Sequence, residues 1–508
     1  MDAFHHLISG FAVILTPANL YYCLLGSLVG TLVGVLPGIG PLAALSLLLP
    51  VTFNIPATSS MVMLSAIFYG AMYGGSTTSI LVNIPGEAAS VVTCLDGHQM
   101  AKAGRAGAAL GIAAFGSFIA GTLSTVGLNV FSPVLVTAAL SFGPPEYFAL
   151  MTLGFVVTMF MVSGSMLKAV LMIALGIVVS TVGMDVVNGV ERFTFGSVNL
   201  TGGFDLVAVI MGTFGVSEIL MNMERLARGE VVRAKIRGLL PSRAEWHAAA
   251  LPILRGSGLG FALGILPGAG PVTASFVSYA LERKISRHPE RFGTGVIEGV
   301  AGPEAANNAA VAGAMIPMLS LGLPSNAVTA LLLGALIIHG VQPGPLLMTQ
   351  HPDIFWGVIA SLYLGNVLLL VLNLPLIGIW VQFLRIPYRI LFPLILLLTV
   401  VGTYAANLNI FDVWVMIGFG VLGYLLVKLG YELGPFILAL VLGPMFEQAL
   451  RQSLIMSSRS MLIFVTRPIT AAILALCVAA VILFLRAEWA RHRRAVAAAG
   501  DVTERESP

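Results

Sequence analysis

Two stretches of this 508-residue chain put helix breakers where an apolar chain can least accommodate them. Residues 34–41 read GVLPGIGP and residues 264–271 read GILPGAGP, identical at six of eight positions. Proline removes a backbone donor and glycine admits φ > 0, so neither stretch continues a helix. The surroundings are oily: 57% of the residues are hydrophobic and 10% charged, against about 25% charged in a soluble domain. Mean hydropathy is +0.96, and apolar runs of the length a bilayer requires recur along the chain. Non-helical backbone survives at membrane depth only when buried in protein or lining an aqueous cavity. The breaks therefore constrain both the architecture and the place where chemistry can happen.

The two copies begin 230 residues apart, close to half the chain. A second pair keeps step: residues 84–90 read IPGEAAS and residues 323–329 read LPSNAVT, each closing an apolar block. The chain divides into a first transmembrane repeat over 1–222, a basic linker over 223–250, a second repeat over 251–485 and a polar tail over 486–508. Lys and Arg gather in the linker, at 283–291 and at 486–494, and the positive-inside rule assigns all three segments to the cytoplasm. Charge also relates the repeats. The segment after the second break, ERKISRHPERF, holds four Lys or Arg, whereas its counterpart VTFNIPATS holds none. Equivalent loops on opposite faces make inverted-topology repeats, common among secondary transporters. Arms over 251–265 and 272–282 are short for a span of about 20 residues. Each break thus reads as the tip of a re-entrant hairpin, with 21–52 as the first-half counterpart. The expected fold is an all-α polytopic integral membrane protein of two inverted-topology repeats, with re-entrant hairpins, broken helices and about 10–13 membrane segments.

A broken helix leaves free N–H groups on one side and free C=O groups on the other. The N-terminal end suits a carboxylate; the C-terminal end and unwound carbonyls suit Na⁺. Gly38, Gly40 and Pro41 in the first break, and Gly268, Gly270 and Pro271 in the second, are candidate ligand-binding positions. Polar side chains crowd the same neighbourhoods: Ser76, Thr77, Thr78, Asn83 and Glu87, then Glu304, Asn307, Asn308, Ser325 and Asn326. Hydroxyls and amides can hold a carboxylate or Na⁺ without a fixed charge. The two glutamates are costly in a membrane and become candidates for a cation or proton site. The bland alternatives are small-residue helix packing for the breaks and interfacial loop carboxylates for Glu87 and Glu304.

Other chemistries lack support. No nucleophile–base pair or zinc spacing occurs, and GGSTTS is not a phosphate-binding loop. Cys23, Cys94 and Cys477 are scattered, which argues against disulfides or a metal cluster. The N-terminus MDAFHHLISGF lacks the positive region of a cleavable signal. Nothing points to a nucleic-acid partner. A passive pore and an intramembrane enzyme using Glu87 or Glu304 are the competing classes; the halves count against the first and the missing catalytic constellation against the second.

Six segments carry a resemblance: GVLPGIGP (34–41), YGGSTTSILVNIPGEAASVVTCLDG (73–97), AKAGRAGAALGIAAFGSF (101–118), GILPGAGP (264–271), GVAGPEAANNAA (299–310) and LSLGLPSNAVTALLLGAL (319–336). Through them the chain resembles, nearly end to end, the large transmembrane subunit of the tripartite tricarboxylate transporter family. The resemblance implies a secondary-active uptake system of the bacterial inner membrane, multi-pass, with a cytoplasmic C-terminus. Its implied partners are a small four-helix membrane subunit, a periplasmic solute-binding protein and membrane lipid, with a homodimer allowed. The implied solutes are carboxylates such as citrate, the coupling ion is Na⁺ or H⁺, and no other cofactor is implied. It also implicates Pro85 and Gly86 of the first signature loop. Ser325 stands where the second signature usually has glycine, making that loop more polar and less permissive. His98-Gln99 replace a usual aromatic and proline, and read as a surface turn.

Overall fold

A computed structural model describes residues 2–36, 40–162, 165–185, 188–224, 238–383, 388–483 and 486. Gly38, linker residues 225–237 and the tail beyond Arg486 lie outside the described residues. The first half runs α1 (Asp2–Ile14), α2 (Pro17–Val35), α3 (Gly40–Leu48), α4 (Ala57–Val82), α5 (Val91–Lys102), α6 (Ala106–Ala139), α7 (Pro144–Met161) and α8 (Met166–Ser180). A short antiparallel hairpin pairs Gly183–Met184 with Glu191–Arg192. Then α9 (Leu206–Ile210) passes through a π-helical turn, Met211–Val216, into α10 (Ser217–Glu224). The second half runs α11 (Arg243–Ile265), α12 (Gly270–Ile285), α13 (Glu298–Leu321), α14 (Ala327–Ile338), α15 (Leu347–Gln350) and α16 (Pro352–Asn373). It closes with α17 (Ile377–Phe383), α18 (Tyr388–Asn407), α19 (Ile410–Lys428), α20 (Gly434–Met456) and α21 (Ile463–Thr466).

Five described helices are long and apolar enough to cross a membrane: α2, α6, α11, α16 and α19. Two of them refine the sequence reading. The first-half arm begins at Pro17 rather than 21, because proline starts α2 where its missing N–H costs nothing. The arm before the second break begins at Arg243 rather than 251. Ser242 and Glu245 form a capping box there, with the Ser242 N–H donating to Glu245 Oε2 at 2.8 Å and the Glu245 N–H to Ser242 Oγ at 3.3 Å. At 23 residues this arm is not the short piece its apolar core suggests.

A glycine seam organises each half. Cβ atoms placed on Gly26, Gly30 and Gly34 of α2 would fall 2.4, 2.5 and 2.3 Å from the carbonyl oxygens of Met63, Ile67 and Ala71 on α4. On α11, Gly256, Gly260 and Gly264 would meet those of Gly302, Ala306 and Ala310 on α13 at 2.4, 2.2 and 2.3 Å. The seams correspond position by position, offset by 230 on the first helix and 239 on the second. Residue numbers rise together along both seams, so α2 runs parallel to α4 and α11 to α13. The segment between must double back. In the second half it does so as α12, whose Glu282 reaches Arg255 on α11 and covers Gly302 on α13.

The innermost helices are α4 and α13. Every residue from Ser59 to Val82, and from Gly299 to Leu321, is buried. Both are rich in Ser, Thr, Gly or Asn, so they fall outside the apolar spans and are instead wrapped by α2, α6, α11 and α16. They cross antiparallel: Ser76 meets Glu304, and one turn further Ile80 and Val300 flank Gly97.

Candidate functional site

Each central helix ends in a left-handed residue, Asn83 (φ 59°) on α4 and Gly322 (φ 70°) on α13. Asn and Gly are the residues that tolerate this conformation. Past Pro85 and Pro324 the chains reach Glu87 and Asn326, and each begins a new helical turn with a capping box. Glu87 accepts from the Ala89 N–H, and its own N–H donates to Ser90 Oγ at 3.4 Å. Asn326 Oδ1 accepts from the Thr329 N–H, and the Asn326 N–H donates to Thr329 Oγ1, both at 3.0 Å.

Each break leans on the signature loop of its own half. In the first, Thr78 Oγ1 donates to the Val35 carbonyl at 2.6 Å, occupying a free carbonyl at the end of α2. A Cβ on Gly86 would lie 2.0 Å from the Gly34 oxygen and 2.6 Å from Gly75 Cα, so only glycine fits. In the second, the Gly268 N–H donates to the Ser325 carbonyl, and Gly270 (φ 55°) faces Asn326. Ser325 is accommodated where its counterpart Gly86 is jammed. Its buried Oγ and the Asn326 Nδ2 find no partner among the described residues. Gly40 (φ 61°) has open space where a Cβ would point. Pro41 and Pro271 sit in the first turns of α3 and α12.

Both glutamates are buried within the protein. Glu87 is 6% and Glu304 1% exposed, and neither makes an ion pair among the described residues. Glu304 Oε2 accepts from Ser76 Oγ at 2.6 Å and Oε1 accepts from Thr93 Oγ1. Asn307 Nδ2 donates to Glu87 Oε1 at 3.3 Å. Asn308 Nδ2 donates to Ser117 Oγ at 2.7 Å and to the Glu304 carbonyl at 3.2 Å. The exchange is reciprocal: hydroxyls of the first half serve the carboxylate of the second, and an amide of the second serves that of the first. Asn307 Oδ1 and Asn308 Oδ1 are buried without donors among the described residues. Helix α12, which starts at the second break, packs on Ala88–Ser90, so the break and the carboxylate cluster adjoin. Thr77 is buried one position beyond Ser76. The described residues hold no group of three His, Cys, Asp or Glu suited to a transition metal.

Sequence reasoning passed over Thr93, Ser117 and Asp96, although all three lie in segments that drew attention as motifs. Asp96 is buried in α5, and its carboxylate accepts the N–H groups of Gly293, Gly295 and Val296 at 2.8–3.0 Å and the Tyr279 hydroxyl at 2.9 Å. It ties α5 to the basic loop before α13. The reading of His98-Gln99 as a surface turn is corrected. Both lie within α5, and His98 is buried with Nδ1 3.0 Å from the Ile80 carbonyl oxygen.

A family model described as "Tripartite tricarboxylate transporter TctA family" matches residues 20–438, both breaks and both loops included. The chain belongs to the TctA family. Two Agrobacterium vitis relatives are similar to it. One, "Uncharacterized 52.8 kDa protein in TAR-I ttuC' 3'region", is 50% identical over 485 residues, covering 96% of this chain and 97% of that protein. The other, "Uncharacterized protein in TAR-II ttuC' 3'region", is 51% identical over 226 residues, covering 44% of this chain and 93% of that protein. No solved structure matches. TctA membership and the apolar helices make this a multi-pass membrane component of a transporter.

Proposed function

We propose that this chain is the large membrane (carrier) subunit of a binding-protein-dependent secondary transporter of the bacterial inner membrane. It takes up carboxylates, tricarboxylates such as citrate among them, at the expense of an ion gradient. The observation that carries this reading is the pairing of each broken helix with its own polar loop, beside two buried carboxylates that have hydroxyl and amide partners but, among the described residues, no basic one. Helix starts at Gly40, Gly270 and Asn326 offer N–H groups to an anionic solute. Glu87 and Glu304 offer negative charge to Na⁺ or H⁺. Solute and cation would then share one buried region, as coupled transport requires.

Parallel seams within each half and the antiparallel crossing of α4 and α13 support two inverted repeats joined by a cytoplasmic basic linker, with a cytoplasmic tail. Cysteines at Asn54 and Ser286 are expected to label from opposite faces; labelling from one face would overturn the inversion. The partners in this reading are a small four-helix membrane subunit and a periplasmic solute-binding protein, which supplies most of the solute specificity.

Reconstitution of the three components in proteoliposomes tests the function. Labelled citrate is expected to accumulate only with an inward Na⁺ or H⁺ gradient and the binding protein. Equal flux without either would mark a passive pore.

A further inference from the structure

A cavity of about 10 Å³ lies next to the carboxylate cluster, between α4, α6 and α16. That is room for about one water-sized sphere. Its lining residues are all buried. Three are apolar residues of α6 (Leu110, Ala113, Ala114), and five carry side-chain oxygens: Tyr73, Ser76, Thr77, Ser117 and Asn373.

The hydrogens on these groups are largely committed elsewhere. Ser76 gives its proton to Glu304 Oε2 at 2.6 Å. Tyr73 gives its proton to Asn366 Oδ1 at 2.5 Å, and Asn366 is fixed by donating to the Phe118 carbonyl and Thr122 Oγ1. Ser117 Oγ receives a hydrogen from Asn308 and lies 3.5 Å from the Glu304 carbonyl. Asn373 donates one of its two amide hydrogens to the Leu369 carbonyl at 2.9 Å, and its Oδ1 finds no donor among the described residues. A hydroxyl has one hydrogen and two lone pairs. With the Tyr73 and Ser76 hydrogens turned away, and the Thr77 hydroxyl free to rotate its own, lone pairs of these oxygens can face the cavity.

We propose that this cavity is a binding site for one dehydrated monovalent cation of the size of Na⁺, held by the oxygens of Tyr73, Ser76, Thr77, Ser117 and Asn373. A lining that turns hydroxyl and amide oxygens to the cavity suits a hard cation better than an anion. The lining has no carboxylate of its own, and divalent cations are normally bound through one or more. Glu304, which accepts from Ser76 Oγ, stands behind that hydroxyl and stabilises the ion through it. The site deepens the ion-gradient reading above, yet its chemistry stands without it. It also gives the buried Tyr73 and Asn373 a role.

The test is thermal unfolding of the purified full-length chain in detergent, titrated with NaCl against choline chloride at constant ionic strength. A cation that binds only the folded state raises the midpoint in proportion to the logarithm of its concentration over its dissociation constant. The wild type is expected to show a saturable, Na⁺-specific rise. Tyr73→Phe and Asn373→Leu each remove one ligand and raise the half-saturating Na⁺ concentration about tenfold or more, equivalent to ~1.4 kcal/mol per decade. If Tyr73→Phe does not fold, Thr77→Val, which keeps the side-chain shape, carries the same expectation. A midpoint that follows ionic strength alone, as for a cavity holding only water, overturns the proposal. So do variants with wild-type half-saturation. Loss of citrate uptake with Na⁺ stabilisation intact would instead refute the carrier reading and leave the site standing.

Discussion

Gly260→Ala tests the helix seam with an internal control two residues away. A Cβ at Gly260 would lie 2.2 Å from the Ala306 carbonyl oxygen and 2.7 Å from its Cα, where ordinary contact begins at 3.4 Å. The shortfall against the oxygen, 3.4 less 2.2, is 1.2 Å. Both obstructing atoms are backbone, so no rotamer change relieves the clash and α11 must shift from α13. Overpacking of this kind costs about 1–3 kcal/mol. Gly258, on the same helix, has no neighbour within 4 Å of its Cβ position. Gly258→Ala gains what alanine offers a helix, up to about 1 kcal/mol. The two variants therefore differ by roughly 1–4 kcal/mol, combining these ranges. Unfolding in detergent, followed by loss of the monodisperse peak on a heated size-exclusion series, ranks them: Gly260→Ala falls below wild type and Gly258→Ala does not. The equivalent first-half change, Gly30→Ala, meets the Ile67 oxygen at 2.5 Å and falls with Gly260→Ala. Equal midpoints for Gly258→Ala and Gly260→Ala would refute the close parallel packing of α11 and α13.

Glu304→Gln keeps the volume and one acceptor oxygen for Ser76 or Thr93, so the protein folds while gradient-driven citrate uptake drops to background; unchanged uptake would exclude Glu304 from coupling. Gly270→Leu forces a branched side chain into left-handed backbone (φ 55°) against Asn326 and is expected to abolish uptake with membrane insertion intact, read by uptake and membrane fractionation. Gly40→Leu meets no described neighbour within 4 Å of its Cβ position and is strained by its left-handed backbone (φ 61°); with insertion intact, loss of uptake there is expected from bulk placed in the ligand's path. Arg255→Ala strands Glu282, which is 3% exposed and bound bidentately at 2.6 and 2.8 Å. Because Arg255 itself is partly exposed, we expect a cost below the roughly 3–5 kcal/mol of a fully buried pair, largely recovered by adding Glu282→Gln, as measured by unfolding in detergent.

The breaks, the 230-residue offset between them and the polar clusters were legible because they are local: eight letters with two prolines and three glycines stand out wherever they occur. The glycine seam was present in the sequence too, as Gly26-Gly30-Gly34 and Gly256-Gly260-Gly264, but a spacing of four does not name its partner helix. The extent of α11 was hidden because its first turns are polar, and the capping box at Ser242 and Glu245 rather than hydropathy sets its start. The link between Thr93 and Glu304 spans 211 residues and joins different halves. Only the fold could supply it. His98 misled because a polar pair after Asp-Gly suggests a turn, whereas burial against α4 overrode that local signal.

The reciprocal donors have a consequence for whether the two halves are interchangeable. The seam is symmetric but the charges are not: the counterpart of Glu87 is Asn326, and that of Glu304 is Ser65. A molecule built from two first halves would carry two copies of Glu87 and no Asn307 to meet them. One built from two second halves would carry two copies of Glu304 with neither Ser76 nor Thr93. The glycine seams match position by position, while the buried polar centre is heterodimeric in all but covalent connection. Each half supplies the solvent for the other's carboxylate, so neither half can change its polar residues without a matching change across the crossing of α4 and α13.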